Sequence, residues 1–158
     1  MTTRWITFDC FGTLVDWNTG FSAILSPLFG TRTADVMRAY HMHEREVEAE
    51  RPHRLYKDVL ATALMRAATA LGLKLSEAEA RRLPQAWASQ PLFDDVEEML
   101  TGLRAMGCRL AVLTNCDDDL FALTLQSQGL PVWRCKSLME QNGEGESRVF
   151  RAVFHALC

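Results

Sequence analysis

One carboxylate stands where the first apolar run of the chain ends. Trp5-Ile6-Thr7-Phe8 has the character of a buried strand, Asp9 follows it directly, and Gly12 permits a tight turn soon after. The carboxyl ends of parallel strands form the ligand crevice of an open sheet, so a carboxylate there faces whatever binds. An ionised aspartate needs no base to attack an electrophilic carbon or phosphorus atom. Asp9 is therefore a candidate nucleophile, although this fragment alone fits equally well an aspartate that caps a turn or helix.

A second apolar run ends in a hydroxyl and an amide. The run is Arg109-Leu110-Ala111-Val112-Leu113, which is too short for a helix, and Thr114 and Asn115 follow it. Both side chains can hold an anion with neutral donors. Two strands with polar exits predict a binding crevice. The alternative is that Thr114 and Asn115 only begin the next helix.

Together the two segments resemble the haloacid dehalogenase superfamily of hydrolases. Its members carry an aspartate after an apolar strand and a serine or threonine at the end of a later strand, and Asp9 and Thr114 match these positions. The pair Thr114-Asn115 is similar to the Ser-Asn pair of the type II 2-haloacid dehalogenase branch, as is the longer run Phe8-Asp9-Cys10-Phe11-Gly12-Thr13-Leu14-Val15-Asp16-Trp17. The resemblance implies hydrolytic dehalogenation of a small 2-haloalkanoic acid, with Asp9, Thr114 and Asn115 as catalytic residues.

The position two residues after the nucleophile separates the branches of the superfamily. Its phosphatases have a second aspartate there, which protonates the leaving alkoxide and whose backbone carbonyl binds magnesium, whereas this chain has Phe11. An aromatic ring cannot donate that proton, but a halide leaves without one. The sequence therefore favours displacement at carbon with no cofactor. A Mg²⁺-dependent small-molecule phosphatase of the same superfamily is the alternative.

The resemblance also implies substrate contacts around the nucleophile. Phe11 and Thr13 lie beside it in sequence, and Arg38 matches by spacing the arginine of the first cap helix that receives the departing halide. The family's third motif is a lysine, and here Glu144 stands near that position, with Lys136 as the nearby candidate counter-charge. The fourth, acidic motif has no match before Cys158. A truncated or frame-shifted product is favoured over a domain completed by a partner and over a non-catalytic remnant.

Hydrophobic patterning predicts a helical insertion after the first strand. The pattern predicts helices over Thr33–Glu50 and about Leu55–Leu71, and the capping-box spacing of Ser76-Glu77-Ala78-Glu79 predicts the start of a third. No strand signal occurs between 17 and 93. We therefore predict an α/β fold: a Rossmann-like three-layer core with a parallel sheet, residues 1–16 and 94–158, incomplete at its C-terminal end, and an inserted α-helical cap, residues 17–93.

The second part of the core shows alternating helix and strand signals. Asp94 or Asp95 can cap a helix that runs to Met106, the Arg109 strand follows, and a helix is predicted over about Asp118–Gln128, before Gly129. The charge run Glu44–Arg51 is expected to be a solvated helix face.

Composition and net charge limit the kinds of molecule that the chain is expected to bind. The chain has 158 residues and a net charge of −3, with no basic cluster, so we expect a small-molecule substrate rather than nucleic acid or membrane, in a cytoplasmic protein that could form a homodimer. No apolar run reaches the roughly 18 residues of a membrane span. Five cysteines without paired spacing predict buried thiols rather than disulfides or a zinc site. His41 and His43 are two apart, which argues against shared metal ligation on a helix.

Overall fold

The computed structural model describes residues 4–130 and 133–134. The chain divides into two compact units, Met1–Asp16 with Leu92–Cys158 and Trp17–Pro91. The sequence placed the second boundary at residue 93 rather than 91. The predictions about the third and fourth motifs, including those for Lys136 and Glu144, concern residues outside the described ranges.

A parallel sheet forms the centre of the first unit. Its strands lie in the order β1-β2-β3 and are β1 (Trp5–Phe8), β2 (Arg109–Val112) and β3 (Trp133–Arg134). Strand β1 pairs with β2 from Trp5 opposite Arg109 to Phe8 opposite Val112. The parallel pairing, with a helix between β2 and β3, confirms the predicted α/β class.

Two helices accompany this sheet, α6 (Val96–Ala105) and α7 (Asp118–Gln128). Their apolar residues join those of the strands in one buried cluster, which includes Val96, Leu100, Leu110, Val112 and Phe121. Each such side chain contributes roughly 1.5–3 kcal/mol when fully buried. Packing of the two helices on the strands therefore holds the strand ends in place.

The second unit is helical throughout its regular elements. It contains α1 (Trp17–Phe29), α2 (Thr33–Ala49), α3 (Tyr56–Ala70), α4 (Glu77–Ala80) and α5 (Arg82–Gln85), with short 3₁₀ turns after α1 and α5. The predicted helices α2 and α3 are confirmed to within one residue at each end. They pack on each other, and their buried residues include Tyr40, Val47, Leu60 and Leu64.

Helix α1 was not predicted as a separate element, whereas the start of α4 was. Gly20 and Pro27 interrupt the helical signal of α1, yet a Cβ atom on Gly20 would lie 2.7 Å from Cγ of Gln90, so this approach requires glycine. The Ser76 capping box is confirmed. Helix α4 ends after four residues because Pro84 lacks an N–H and its ring would meet the carbonyl of Ala80.

Only part of the charge run of α2 is exposed to solvent. Glu44 accepts hydrogen bonds from the hydroxyls of Tyr40 (2.8 Å) and Tyr56 (2.9 Å), which joins α2 to α3. Glu48 is half-buried, whereas Glu46 is exposed. The expectation was wrong for Glu44, which contacts Tyr56 of α3, and for Glu48, which is half-buried. No helix within residues 4–130 combines the length and the apolar character needed to cross a bilayer.

Candidate active site

Asp9 and Thr114 leave neighbouring parallel strands at the same edge of the sheet. The backbone pairing continues one residue past β2, where the Leu113 N–H donates to the Phe8 carbonyl at 2.8 Å. The next residues along the two chains are Asp9 and Thr114. The Asp9 side chain is exposed, Thr114 is 3% exposed and Asn115 is exposed. The structure thus brings the predicted nucleophile and the predicted anion-binding pair to one edge of the first unit.

A tight turn after Asp9 is held by the carbonyl of Cys10. This oxygen accepts N–H hydrogen bonds from Thr13 (3.3 Å), Leu14 (2.8 Å) and Val15 (3.0 Å). Gly12 has a φ of 94°, a conformation that favours glycine. Cys10, Leu14 and Val15 are fully buried, so the turn is anchored in the core beneath the exposed carboxylate.

Thr13 contacts the candidate nucleophile directly. Its hydroxyl donates to Oδ2 of Asp9 at 3.2 Å, and both side chains are exposed. This bond restrains one oxygen of the carboxylate. The sequence assigned Thr13 to substrate binding, which stays a prediction; the structure adds this contact with Asp9, which orients the carboxylate.

Phe11 is packed into the first unit. It is half-buried against the cluster formed by Cys10, Leu14, Val15 and other core residues. An acidic side chain at this position would lose those apolar contacts. Its predicted contact with substrate stays a prediction.

Two cysteines lie beside the candidate site residues and both are buried. Burial, and secondarily the charge of Asp9, raise the pKa of the Cys10 thiol to about 12. Cys116 is 1% exposed, and its backbone N–H donates to Oγ1 of Thr114 at 3.3 Å. The prediction of buried thiols holds for these two residues, and a neutral thiol at position 10 is a poor nucleophile.

Arg38 belongs to the second unit and lies on the exposed side of α2. Its side chain is 73% exposed and donates to Asp35, which also accepts a 2.9 Å hydrogen bond from Nε of Arg32. The halide-binding role that the resemblance implied for Arg38 stays a prediction. Lys136, the candidate counter-charge, lies outside the described residues.

Histidines and acids do not gather into a metal cluster in the part of the chain that the structure describes. Nδ1 of His41 lies 3.4 Å from Glu44, and Nδ1 of His43 lies 2.8 Å from Glu46, each pair being three residues apart on α2. The two imidazoles therefore contact different carboxylates.

Sequence analysis assigned no role to Asp117. The structure shows it to be 9% exposed, three residues after Thr114 and immediately before α7.

The model of the haloacid dehalogenase-like hydrolase family matches residues 3–140. The chain belongs to this family. No curated protein matches this haloacid dehalogenase-like hydrolase in sequence.

Solved structures share the fold of this haloacid dehalogenase-like hydrolase at low sequence identity. A crystal structure of a dehalogenase superimposes with a TM-score of 0.83 at 20% identity, covering 99% of this chain and 72% of the other. The L-2-haloacid dehalogenase of Xanthobacter autotrophicus gives 0.82 at 18% identity, covering 99% and 65%. Another L-2-haloacid dehalogenase gives 0.79 at 23% identity, covering 97% and 71%. The hydrolase thus spans 65–72% of the length of these proteins.

Proposed function

We propose that this hydrolase removes the halogen from a small 2-haloalkanoic acid, with Asp9 as the nucleophile. The observation that carries the proposal is the exposed carboxylate of Asp9 at the end of β1, with the half-buried Phe11 two residues later in place of a general acid. A halide leaving group requires no proton, whereas the alkoxide of an ordinary phosphate ester does. The site therefore suits displacement at carbon better than phosphate-ester hydrolysis.

The reaction has two steps. A carboxylate oxygen of Asp9 attacks carbon 2 of the substrate, the carbon–halogen bond breaks, and the halide leaves with the bonding electrons. This forms an ester between Asp9 and the substrate. Water then adds to the carbonyl carbon of that ester, the bond to the original Asp9 oxygen breaks, and the 2-hydroxy acid is released. The Asp9 carboxyl group returns its extra proton to solvent.

Thr114 and Asn115 would bind the substrate carboxylate in this scheme. Oγ1 of Thr114 already accepts the Cys116 N–H, so its own hydrogen can be donated to an anion. The Asn115 amide supplies two further N–H donors at an exposed position of the same edge. Arg38 and Lys136 are proposed as cations for the halide and the carboxylate, on the resemblance alone.

Chloride release from 2-chloropropionate tests the proposal. Both enantiomers are incubated with the protein in the presence of a metal chelator, and chloride is measured by ion chromatography. We expect chloride to appear with wild type, to be absent with Asp9→Asn, and to be unaffected by Asp94→Asn. Asp94 is a matched control because it is an exposed aspartate of the same unit that has no part in the proposed reaction.

Three results would contradict the proposal. Full dehalogenation by Asp9→Asn would remove Asp9 from its role. Mg²⁺-dependent release of phosphate from an aryl phosphate, without dehalogenation, would identify the phosphatase alternative. Absence of turnover with both substrate classes would identify a non-catalytic member of the family.

A further inference from the structure

The first strand of the sheet has one side without a neighbouring strand in the described part of the chain. Strand β1 lies at the end of the order β1-β2-β3 and pairs with β2. Within residues 4–130 and 133–134, no strand pairs with its other side. Such an edge presents backbone N–H and C=O groups that can pair with another chain. The outer side of β1 is therefore a candidate interaction surface of the first unit.

Two residues of β1 direct their backbone groups towards that outer side. The carbonyls of Arg4 and Phe8 accept N–H groups from β2 and from the residue that follows it, both at 2.8 Å, so they face β2. The backbone groups of successive residues in a strand point alternately to its two sides. The N–H and C=O groups of Trp5 and Thr7 consequently point away from β2. These four groups form what we call the open edge of β1.

The strand carries none of the features that usually protect an edge. Its residues are Trp5-Ile6-Thr7-Phe8, without a charge or a proline, and its register with β2 is continuous, without a bulge. Thr7 is exposed and the other three residues are half-buried, whereas three of the four residues of β2 are buried. Strands of a parallel sheet are normally buried on both faces. A further strand beside β1 would supply the missing cover.

We propose that the open edge pairs with the open edge of a second copy of this chain, antiparallel about a two-fold axis. An axis perpendicular to the sheet keeps the same face of both copies on one side, so opposite residues must come from the same face. A register centred on Ile6 meets this condition. It sets Trp5 opposite Thr7 of the second copy, and Thr7 opposite its Trp5. The four outward groups of each strand then form four N–H···O=C hydrogen bonds.

Side chains favour this register. Trp5 and Thr7 of the two copies form aromatic–β-branched pairs on one face, a favourable cross-strand combination. Ile6 packs against the core cluster of the first unit, so the contact between the two Ile6 side chains joins two apolar cores. No charged residue of β1 meets a like charge, because the strand has none. A register centred on Thr7 would instead place the exposed Asp9 opposite Trp5 and is less favourable.

The mass of the protein in solution tests the proposal. Analytical ultracentrifugation of the full chain at up to about 100 µM should show a concentration-dependent equilibrium between one chain and two. Thr7→Lys places a charge at the open edge and should raise the dissociation constant at least about 10-fold. Thr7→Pro removes an N–H that β2 does not use and should act in the same direction. Thr101→Lys is the matched control, an exposed threonine on α6 of the same unit, and should behave as wild type.

An introduced cysteine tests the register. Residues opposite one another in a non-hydrogen-bonded antiparallel pair have Cα atoms about 4.5 Å apart, which a disulfide can span. Ile6→Cys should therefore link two copies on mild oxidation, and mass spectrometry should find the peptide that contains position 6 joined to itself. Thr7→Cys does not face itself across the axis and should give no such peptide.

Four results would overturn the proposal. The first is a wild-type protein that stays a single chain at every concentration; protection of its Thr7 amide from hydrogen exchange would then show that another segment of the chain covers the edge. The second is a dimer that both folded Thr7 variants leave unchanged. The third is equal loss of the dimer in Thr101→Lys. The fourth is self-linkage by Thr7→Cys and not by Ile6→Cys. If neither Thr7→Lys nor Thr7→Pro folds, the cysteine variants decide alone.

Discussion

The hydroxyl of Thr13 donates a hydrogen bond to Oδ2 of Asp9 across 3.2 Å. Thr13 lies four residues after Asp9, on the turn that the Cys10 carbonyl holds together. The bond leaves Oδ1 as the oxygen better placed to attack, because Oδ2 already has a donor. An exposed carboxylate would otherwise rotate among several orientations.

Removal of the Thr13 hydroxyl should slow the first step. Hydrogen bonds to charged groups contribute about 1.5–3 kcal/mol, so Thr13→Val should lower kcat for 2-chloropropionate by roughly 10- to 100-fold. Thr13→Ser keeps the donor and should retain most of the activity. Steady-state kinetics of the two variants check this, and activity that is kept by Thr13→Val but lost by Thr13→Ser would show that the methyl group rather than the hydroxyl matters.

A side chain at Gly12 should destabilise the first unit. Because φ is 94° there, Gly12→Ala should lower the free energy of unfolding by about 1–2 kcal/mol. Gly102 is the matched control, since it lies within α6 and a Cβ atom there meets nothing within 4 Å. Gly102→Ala should raise the free energy of unfolding by about 0.5–1 kcal/mol. Urea denaturation followed by circular dichroism measures both, and a neutral Gly12→Ala would contradict the turn geometry.

The Cys10 thiol should resist alkylation in the folded protein. Its pKa of about 12 leaves very little thiolate at pH 8, and the side chain is buried. Treatment with iodoacetamide at pH 8, followed by peptide mass spectrometry, should label Cys10 only after denaturation. Cys108 is half-buried and should react sooner than Cys10. Rapid labelling of Cys10 in the native protein would show that the turn opens.

Much of the fold could be predicted from the sequence, because the signals for its strands and helices are local. Short apolar runs predicted β1 and β2, and helical periodicity with capping and stop signals predicted α2, α3, α6 and α7. Helix α1 was not predicted because Gly20 and Pro27 are poor helix formers. The close approach of Gln90 explains the glycine, and this contact is visible only in the structure. Asp95 occupies the N-cap of α6 but makes no side-chain capping bond, so the start of that helix was predicted for an incomplete reason.

The candidate site could be predicted from the sequence only in part. A shared edge for Asp9, Thr114 and Asn115 follows from parallel pairing, which places the carboxyl ends of strands together. The bond from Thr13 to Asp9 and the burial of Asp117 depend on how a turn and a helix start pack in three dimensions. Neither has a sequence pattern of its own. Glu44 shows the same limit, since its two tyrosine donors come from different helices.

Acid should stabilise the protein through Glu48. Burial, and then the charge of Glu44, raise the pKa of Glu48 above its ordinary value of 4.5. A raised pKa in the folded state means that the folded protein binds the proton more tightly than the unfolded chain does. The contribution to stability is therefore complete below pH 4.5 and is lost as pH rises through the folded-state pKa.

Glu48→Gln tests this dependence by removing the charge. Thermal unfolding should show a higher Tm than wild type at pH 7, and the difference should shrink as the pH falls through the raised folded-state pKa and be smallest below about 4.5. Glu46→Gln changes an exposed glutamate of the same helix and should give no increase at pH 7. An unchanged or lower Tm for Glu48→Gln at pH 7 would contradict the burial of this charge.

The origin of the product oxygen tests the nucleophilic role of Asp9 most directly. A single turnover of 2-chloropropionate is run in H₂¹⁸O with protein in excess, and both the lactate and the peptide containing Asp9 are analysed by mass spectrometry. We predict unlabelled lactate and one ¹⁸O atom in the Asp9 carboxylate, because the hydroxyl oxygen of the product comes from the aspartate. Labelled lactate with an unlabelled Asp9 would mean that water attacks the substrate directly, and would contradict the account.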